Sequence, residues 1–145
     1  MKLTKHNPAV FTLEIKANST HHQSMMLASD IHYDSIACDL QRFKDHLQHA
    51  NDTKSPVLIA GDVFDAMQGH DDPRRSPDAL KEQYKVSHYF DALVIDAAKF
   101  FQQYKDVPVW IFGLGNHETS VMKKMSTNLC ERLALMLRLQ GVNAE

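Results

Sequence analysis

Short apolar runs that each end in a cluster of polar side chains constrain the fold of this chain more than any other sequence feature. Three such runs occur, at residues 25–28, 57–60 and 109–112. They have the length and composition of buried strands. The strings that follow them are D-I-H at residues 30–32, G-D-V-F-D at residues 61–65 and G-N-H-E at residues 115–118. Oxygen and nitrogen donors are therefore concentrated where three predicted strands end.

Helical patterns separate these strands. Apolar residues recur at steps of three and four in a first helix that carries Ile36, Leu40, Phe43, Leu47 and Ala50. A second pattern spans residues 80–104 with a break near Ser87, after a helix start at Ser76 and Pro77. A last helix is predicted over residues 121–139. Strands that alternate with helices are typical of parallel βαβ units, so we predict an α/β fold.

The sequence also predicts an edge strand, the extent of two parallel strands and a polar loop. Residues 11–16 alternate in polarity like a half-exposed strand at a sheet edge. The first strand of the parallel sheet, at residues 25–29, is expected to be fully buried, and the third is expected at residues 109–114. Residues 66–76 read as a polar loop.

Parallel strands of one sheet bring their carboxyl ends to the same edge, where ligand sites of α/β proteins form. We therefore expect Asp30, Asp62 and Asn116 to lie along one edge. Asp30 and His32 are two residues apart, so both side chains can face the same ion. Asp, His and Asn together suit hard-to-borderline divalent cations, and the sequence predicts a site for such a cation.

Composition narrows the class of protein. The 145 residues fit one domain, and contents of 43% apolar and 23% charged residues are ordinary for a soluble protein. A net charge of −2 excludes a broad basic field for nucleic acid, so a polyanion contact would have to be local. Cys38 and Cys130 are isolated, and no apolar run resembles a signal peptide or a membrane span. We expect a cytoplasmic protein without a membrane partner.

The three strings resemble the hallmark of the calcineurin-like metallophosphoesterases, which is D-x-H, then G-D-x-x-D, then G-N-H-[DE]. All three match in the family's order, and the resemblance covers roughly residues 25–139. It implies a layered αββα sandwich, of which residues 1–145 would form a single, incomplete domain that supplies the N-terminal half with its parallel βαβ units.

The resemblance also implies a metal-dependent phosphoester hydrolase with two divalent ions and a metal-bridging hydroxide. Asp30, His32 and Asp62 would bind the first ion, and Asp62 and Asn116 the second, so Asp62 would bridge both. Mn²⁺, Fe and Zn²⁺ all suit these ligands, with Mn²⁺ favoured. The substrate would be a phosphoester, including a nucleotide or a nucleic acid.

By the same resemblance His117 is a catalytic residue that contacts the phosphate, together with Asn116, and protonates the departing oxygen. Asp65 would orient it, since a carboxylate at one ring nitrogen fixes the tautomer and favours a general acid. Glu118 is left open between a supporting contact and an ordinary helix-start carboxylate. Gly61 and Gly115 are interpreted as glycines at a close approach of two backbones.

Departures from the family pattern qualify this interpretation. The family continues with a lone His and a G-H-x-H string, whereas no histidine follows His117 here. We therefore expect this chain alone to be a weak or inactive enzyme, and the alternative is a truncated or degenerate member that acts as a binding module.

Ala66 stands where the protein phosphatases have Arg, which favours a phosphodiesterase or nuclease-like role. Arg74 and Arg75 are interpreted as a solvated pair, and His70 as a weak site candidate.

Overall fold

The computed structural model describes residues 1–7, 10–66 and 76–145. An antiparallel hairpin comes first and consists of β1 (Lys2–Asn7) and β2 (Val10–Glu14). Its strand β2 confirms the strand expected at residues 11–16. The hairpin forms a two-stranded sheet of its own, separate from the sheet that carries the polar strings.

The second sheet is parallel and has the order β3 (Met26–Ala28), β4 (Val57–Ile59), β5 (Trp110–Phe112). Helix α1 (Leu40–Asp52) connects β3 to β4, and helix α2 (Tyr89–Phe101) lies between β4 and β5. Two further helices follow β5, namely α3 (Asn116–Met125) and α4 (Leu129–Leu139). The α/β class and the parallel arrangement are as predicted.

One face of the parallel sheet packs against the helices. Successive strand residues point to opposite faces, and the side chains of Val57, Ile59, Trp110 and Phe112 are buried in the same core as residues of α1, α2 and α4. The ring of Phe101 on α2 lies 5.1 Å from the ring of Trp110 and 5.3 Å from that of Phe112. This packing places the carboxyl ends of β3, β4 and β5 side by side.

The other face carries an apolar row that becomes more exposed toward β3. Leu27, Leu58 and Ile111 are paired in register across the three strands. Ile111 is only 5% exposed, whereas Leu27 is 68% exposed. The expectation of a fully buried first strand is therefore wrong, because β3 is the edge strand of this sheet. At the other edge, β5 also pairs with the chain around Ala144.

Two expectations about helices are also wrong. Helix α1 begins at Leu40, since the Asp39 side chain caps it by accepting from the Arg42 amide, and Ile36 lies before the helix and is exposed. The predicted helix over residues 121–139 is two helices. Ser126 ends α3 in the left-handed conformation with φ of 52°, and the Asn128 side chain caps α4.

The segment before α2 is helical only in short pieces. Pro77 begins a 3-10 helix, as the Ser-Pro pair predicts, and a second 3-10 helix follows at Glu82–Tyr84. The main helix begins at Tyr89, which agrees with a break near Ser87. The expected polar loop at residues 66–76 lies almost entirely outside the described residues.

Core packing by α4 is tested with two substitutions on the same helix. Leu133 is fully buried and Leu139 is 79% exposed. We expect Leu133→Ala to lower the free energy of unfolding by about 2–5 kcal/mol, because it removes buried methyl groups and leaves a cavity. Leu139→Ala should change it by less than about 0.5 kcal/mol. Urea unfolding of both variants measures this, and equal losses would contradict the assigned burial.

Candidate metal centre

Backbone hydrogen bonds join the first two polar strings. The amides of Asp30, His32 and Tyr33 donate to carbonyl oxygens of the G-D-V-F-D string, at 3.2, 3.1 and 2.8 Å. The acceptors are Gly61, Asp62 and Val63. The parallel pairing of β3 and β4 thus continues into the loops, and it places the side chains of Asp30, His32 and Asp62 at one edge of the sheet.

Two glycines bring the third string against the second. A Cβ on Gly61 would lie 2.7 Å from the Gly115 Cα, and a Cβ on Gly115 would lie 2.0 Å from the Asp62 Oδ1. Gly61 also has φ of +106°, a conformation that L side chains rarely adopt. Both glycines are therefore required by close approach, as the sequence predicts.

Asp30, His32 and Asp62 form a group whose ligand atoms all lie within 4.8 Å of one another. Asp62 is buried, His32 is half-buried and Asp30 is exposed. Each of the three has a left-handed backbone, with φ of 54°, 48° and 51° for Asp30, His32 and Asp62. One imidazole and two carboxylates are a donor set that suits Mn²⁺ or a similar divalent cation.

Asn116 is placed beside this group by its neighbours in the chain. It is the first residue of α3 and is exposed. The preceding Gly115 touches the Asp62 carboxylate, and the amide of the following His117 donates to the Asp62 Oδ1 at 3.0 Å. The backbone at Asn116 therefore lies next to the Asp62 carboxylate.

His117 and Asp65 form the pair that the sequence predicts. The His117 Nδ1 lies 3.1 Å from the Asp65 Oδ1 and 2.5 Å from the Asp65 carbonyl oxygen. Since a carbonyl oxygen only accepts, Nδ1 carries the proton and donates. In the neutral ring, the second nitrogen, Nε2, then carries no proton.

His32 lies close to the same pair. Its Nδ1 is 3.7 Å from the Asp65 Oδ1, and its ring meets the His117 ring edge to face at 4.6 Å. His32, Asp65 and His117 also satisfy the distance requirement for a cation group. We interpret them as the hydrogen-bonded Asp65–His117 pair with the His32 ring packed against it, rather than as a separate cation site, because the His117 Nδ1 already donates to Asp65.

Glu118 is a buried carboxylate that binds backbone amides of the second and third polar strings. It is fully buried and accepts hydrogen bonds from the amides of Asp62, Phe64 and Gly115, at 3.1, 3.0 and 3.0 Å. Burial raises the pKa of Glu118, while the amides of Phe64 and Gly115 oppose that rise. Both roles that the sequence left open are present, because Glu118 caps the start of α3 through the Gly115 amide and also holds the second string through the amides of Asp62 and Phe64.

Asp34 binds the loop of the second string, a role that the sequence did not predict. It is fully buried and accepts from the amides of Asp65 and Ala66 and from the Tyr89 hydroxyl. One signal was present, because Asp34 continues the two-residue spacing of Asp30 and His32.

Other residues named as candidates do not join the site. His46 and His49 are exposed on α1, as expected of solvated side chains. His70, Arg74 and Arg75 lie outside the described residues.

Comparisons with known proteins found no matching family model, no matching curated protein and no matching solved structure. Within residues 1–7, 10–66 and 76–145, no helix has the length and apolar character needed to cross a bilayer.

The close approach at Gly115 is tested by substitution. We expect Gly115→Ala to lower the free energy of unfolding by about 1–3 kcal/mol and to abolish stabilisation by Mn²⁺, because the added Cβ displaces the Asp62 carboxylate. Gly141→Ala is the control, since Gly141 has φ of +81° but open space around it. It should lose stability and keep the Mn²⁺ effect. Thermal unfolding with and without Mn²⁺ measures both, and a Gly115→Ala protein that still responds to Mn²⁺ would contradict the prediction.

Proposed function

We propose that this chain is a metal-dependent phosphoester hydrolase of the calcineurin-like metallophosphoesterase type, with phosphodiesters or nucleic acid as the substrate class. The observation that carries the proposal is the group of Asp30, His32 and Asp62 with the Asp65–His117 pair directly beside it. A cation position next to an oriented imidazole is the arrangement that phosphoester hydrolysis requires.

The residues present fit divalent cations at two positions of unequal strength. Asp30, His32 and Asp62 would bind the first ion, and Asp62 with Asn116 would bind the second. When bound, such ions neutralise the charge of the phosphate and activate water as a nucleophile. The exposed side of Asp30 and Asn116 leaves room for substrate at this edge.

His117 has the geometry of a general acid. Its Nδ1–H is donated to Asp65, which fixes the ring orientation and directs Nε2 away from that contact. In the imidazolium form, Nε2–H would donate its proton to the departing oxygen of the ester. Asn116 would contact the phosphate from the preceding position, at the start of α3.

The layered sandwich architecture is part of the same proposal. A layered αββα sandwich would cover the apolar row of Leu27 and Leu58 with a second sheet, and the exposure of this row supports that arrangement. Ala66 follows Asp65, where protein phosphatases have Arg, and this difference favours phosphodiesters over phosphoproteins.

A second candidate function is a metal-binding module without turnover. Among the described residues, the first cation position has three ligands with carboxylate or imidazole groups, whereas the second relies on Asp62 and Asn116. A cation with so few protein ligands stays mostly hydrated and binds weakly. Mn²⁺ binding without hydrolysis would support this alternative.

Metal binding is tested by titration calorimetry with Mn²⁺. We expect Asp62→Asn to lower the affinity more than Asp30→Asn, His32→Ala or Asn116→Ala, because Asp62 is the ligand that both positions share. Asp45→Asn is the control, since Asp45 is exposed on α1 and its carboxylate accepts from Gln41. Wild-type affinity in Asp62→Asn would refute the assigned centre.

Catalysis is tested with two phosphodiesters that differ in their leaving group. Turnover of bis-nitrophenyl phosphate should depend on Mn²⁺, be low in this chain and vanish in Asp62→Asn. His117→Ala should lower turnover of a phenyl ester by about 100-fold but that of the nitrophenyl ester by less than about tenfold, since a good leaving group needs little protonation. Equal losses would show that His117 only positions the phosphate, and no Mn²⁺-dependent turnover at any concentration would favour the binding module.

A further inference from the structure

Asp34 is a buried carboxylate without a role in the proposed chemistry. Its oxygens accept from the Asp65 amide at 2.6 Å, from the Ala66 amide at 3.1 Å and from the Tyr89 hydroxyl. The residue is fully inaccessible to solvent. A carboxylate this deeply buried is stable only with such donors, so its position and that of the Asp65 backbone depend on each other.

The Asp65 backbone in turn determines the orientation of His117. The Asp65 amide donates to Asp34, while the Asp65 carbonyl accepts from the His117 Nδ1 at 2.5 Å. The Asp65 carboxylate lies 3.1 Å from the same nitrogen. A shift of the Asp65 amide therefore moves both acceptors that fix the His117 tautomer.

Tyr89 connects this arrangement to the second long helix. It is the first residue of α2, and its hydroxyl donates to the Asp34 Oδ2, the oxygen that also accepts from the Ala66 amide. Burial and the neighbouring Asp34 charge raise the pKa of Tyr89, so the hydroxyl keeps its proton and remains a donor. A backbone hydrogen bond also joins Asp34 to the segment before α2, because the Lys81 amide donates to the Asp34 carbonyl.

We propose that Asp34 is a positioning residue for His117 and that Tyr89 orients Asp34 from helix α2. The catalytic consequence rests on the proposed function, but the geometry is a property of the chain without metal. Tyr89 and Asp34 act through Asp65, and within the described part of the chain neither forms a hydrogen bond with the His117 ring.

The chain offers a matched control for Tyr89. Tyr84 is buried where Tyr89 is half-buried, and its hydroxyl donates to a carboxylate of α2, Asp96, which also accepts from Tyr33. Burial raises the pKa of Tyr84 as it does that of Tyr89. Tyr84→Phe and Tyr89→Phe therefore remove the same kind of part-buried hydrogen bond from a tyrosine hydroxyl to a carboxylate, and only Tyr89→Phe removes one from Asp34.

The experiment measures the His117 tautomer by long-range ¹H–¹⁵N spectra of histidine side chains in the metal-free, ¹⁵N-labelled chain. A spectrum of His117→Ala assigns the signals. We expect wild type and Tyr84→Phe to show the Nδ1–H tautomer. Asp34→Asn should lose this preference, because the Asp65 and Ala66 amides donate to different oxygens of Asp34 and the asparagine NH2 group leaves one of them without an acceptor. Tyr89→Phe should weaken the preference. Circular dichroism confirms that each variant is folded.

The outcomes distinguish a specific role in positioning His117 from a general loss of packing. An unchanged tautomer in folded Asp34→Asn and Tyr89→Phe overturns the proposal, as does an equal change in Tyr84→Phe. If Asp34→Asn fails to fold, the comparison of Tyr89→Phe with Tyr84→Phe decides alone. The spectra contain no metal, so a failed phosphodiesterase assay leaves a positive result standing, and unchanged spectra overturn the positioning role even if that assay succeeds.

Discussion

Buried carboxylates bind the backbone amides of the loop at residues 61–66, and the rest of the site depends on this interaction. This loop lies beyond the end of β4, so strand pairing does not satisfy its amides. Glu118 accepts from the amides of Asp62 and Phe64, and Asp34 accepts from those of Asp65 and Ala66. An unpaired buried amide costs about 1–3 kcal/mol, so losing either carboxylate would release the loop.

This interaction explains how the chain tolerates an unfavourable backbone. Asp30, His32 and Asp62 all have positive φ, which costs of order 1–3 kcal/mol per residue and persists only where the surroundings determine the conformation. The amide of Asp62 is bound by Glu118, and the amides of Asp30 and His32 are bound by carbonyls of the next loop. In these left-handed turns the ligand atoms of the three side chains lie within 4.8 Å of one another.

Strand ends were predictable from the sequence, and so was much of the site. Apolar runs followed by polar strings placed the ligand groups at one sheet edge, and the contact between Asp65 and His117 followed from the family resemblance. The role of Asp34 was not predictable, because its partners come from a later loop and from α2. The exposure of Leu27 was not predictable either, since an edge strand and a central strand can have the same composition. The break at Ser126 was missed because a serine in the left-handed conformation has no distinctive pattern.

The geometry of the Asp30, His32 and Asp62 group would link cation binding, if the proposed function is correct, to the stability of the fold. Asp30 and Asp62 bring two carboxylates into one group with ligand atoms within 4.8 Å, and like charges at that separation repel. The backbone bonds that align the two loops work against this repulsion. A divalent cation would remove it and, by mass action, add about 2.7 kcal/mol to the free energy of unfolding at 100 times its dissociation constant. The two carboxylates that repel each other are thus the same two that would bind the cation of the proposed function.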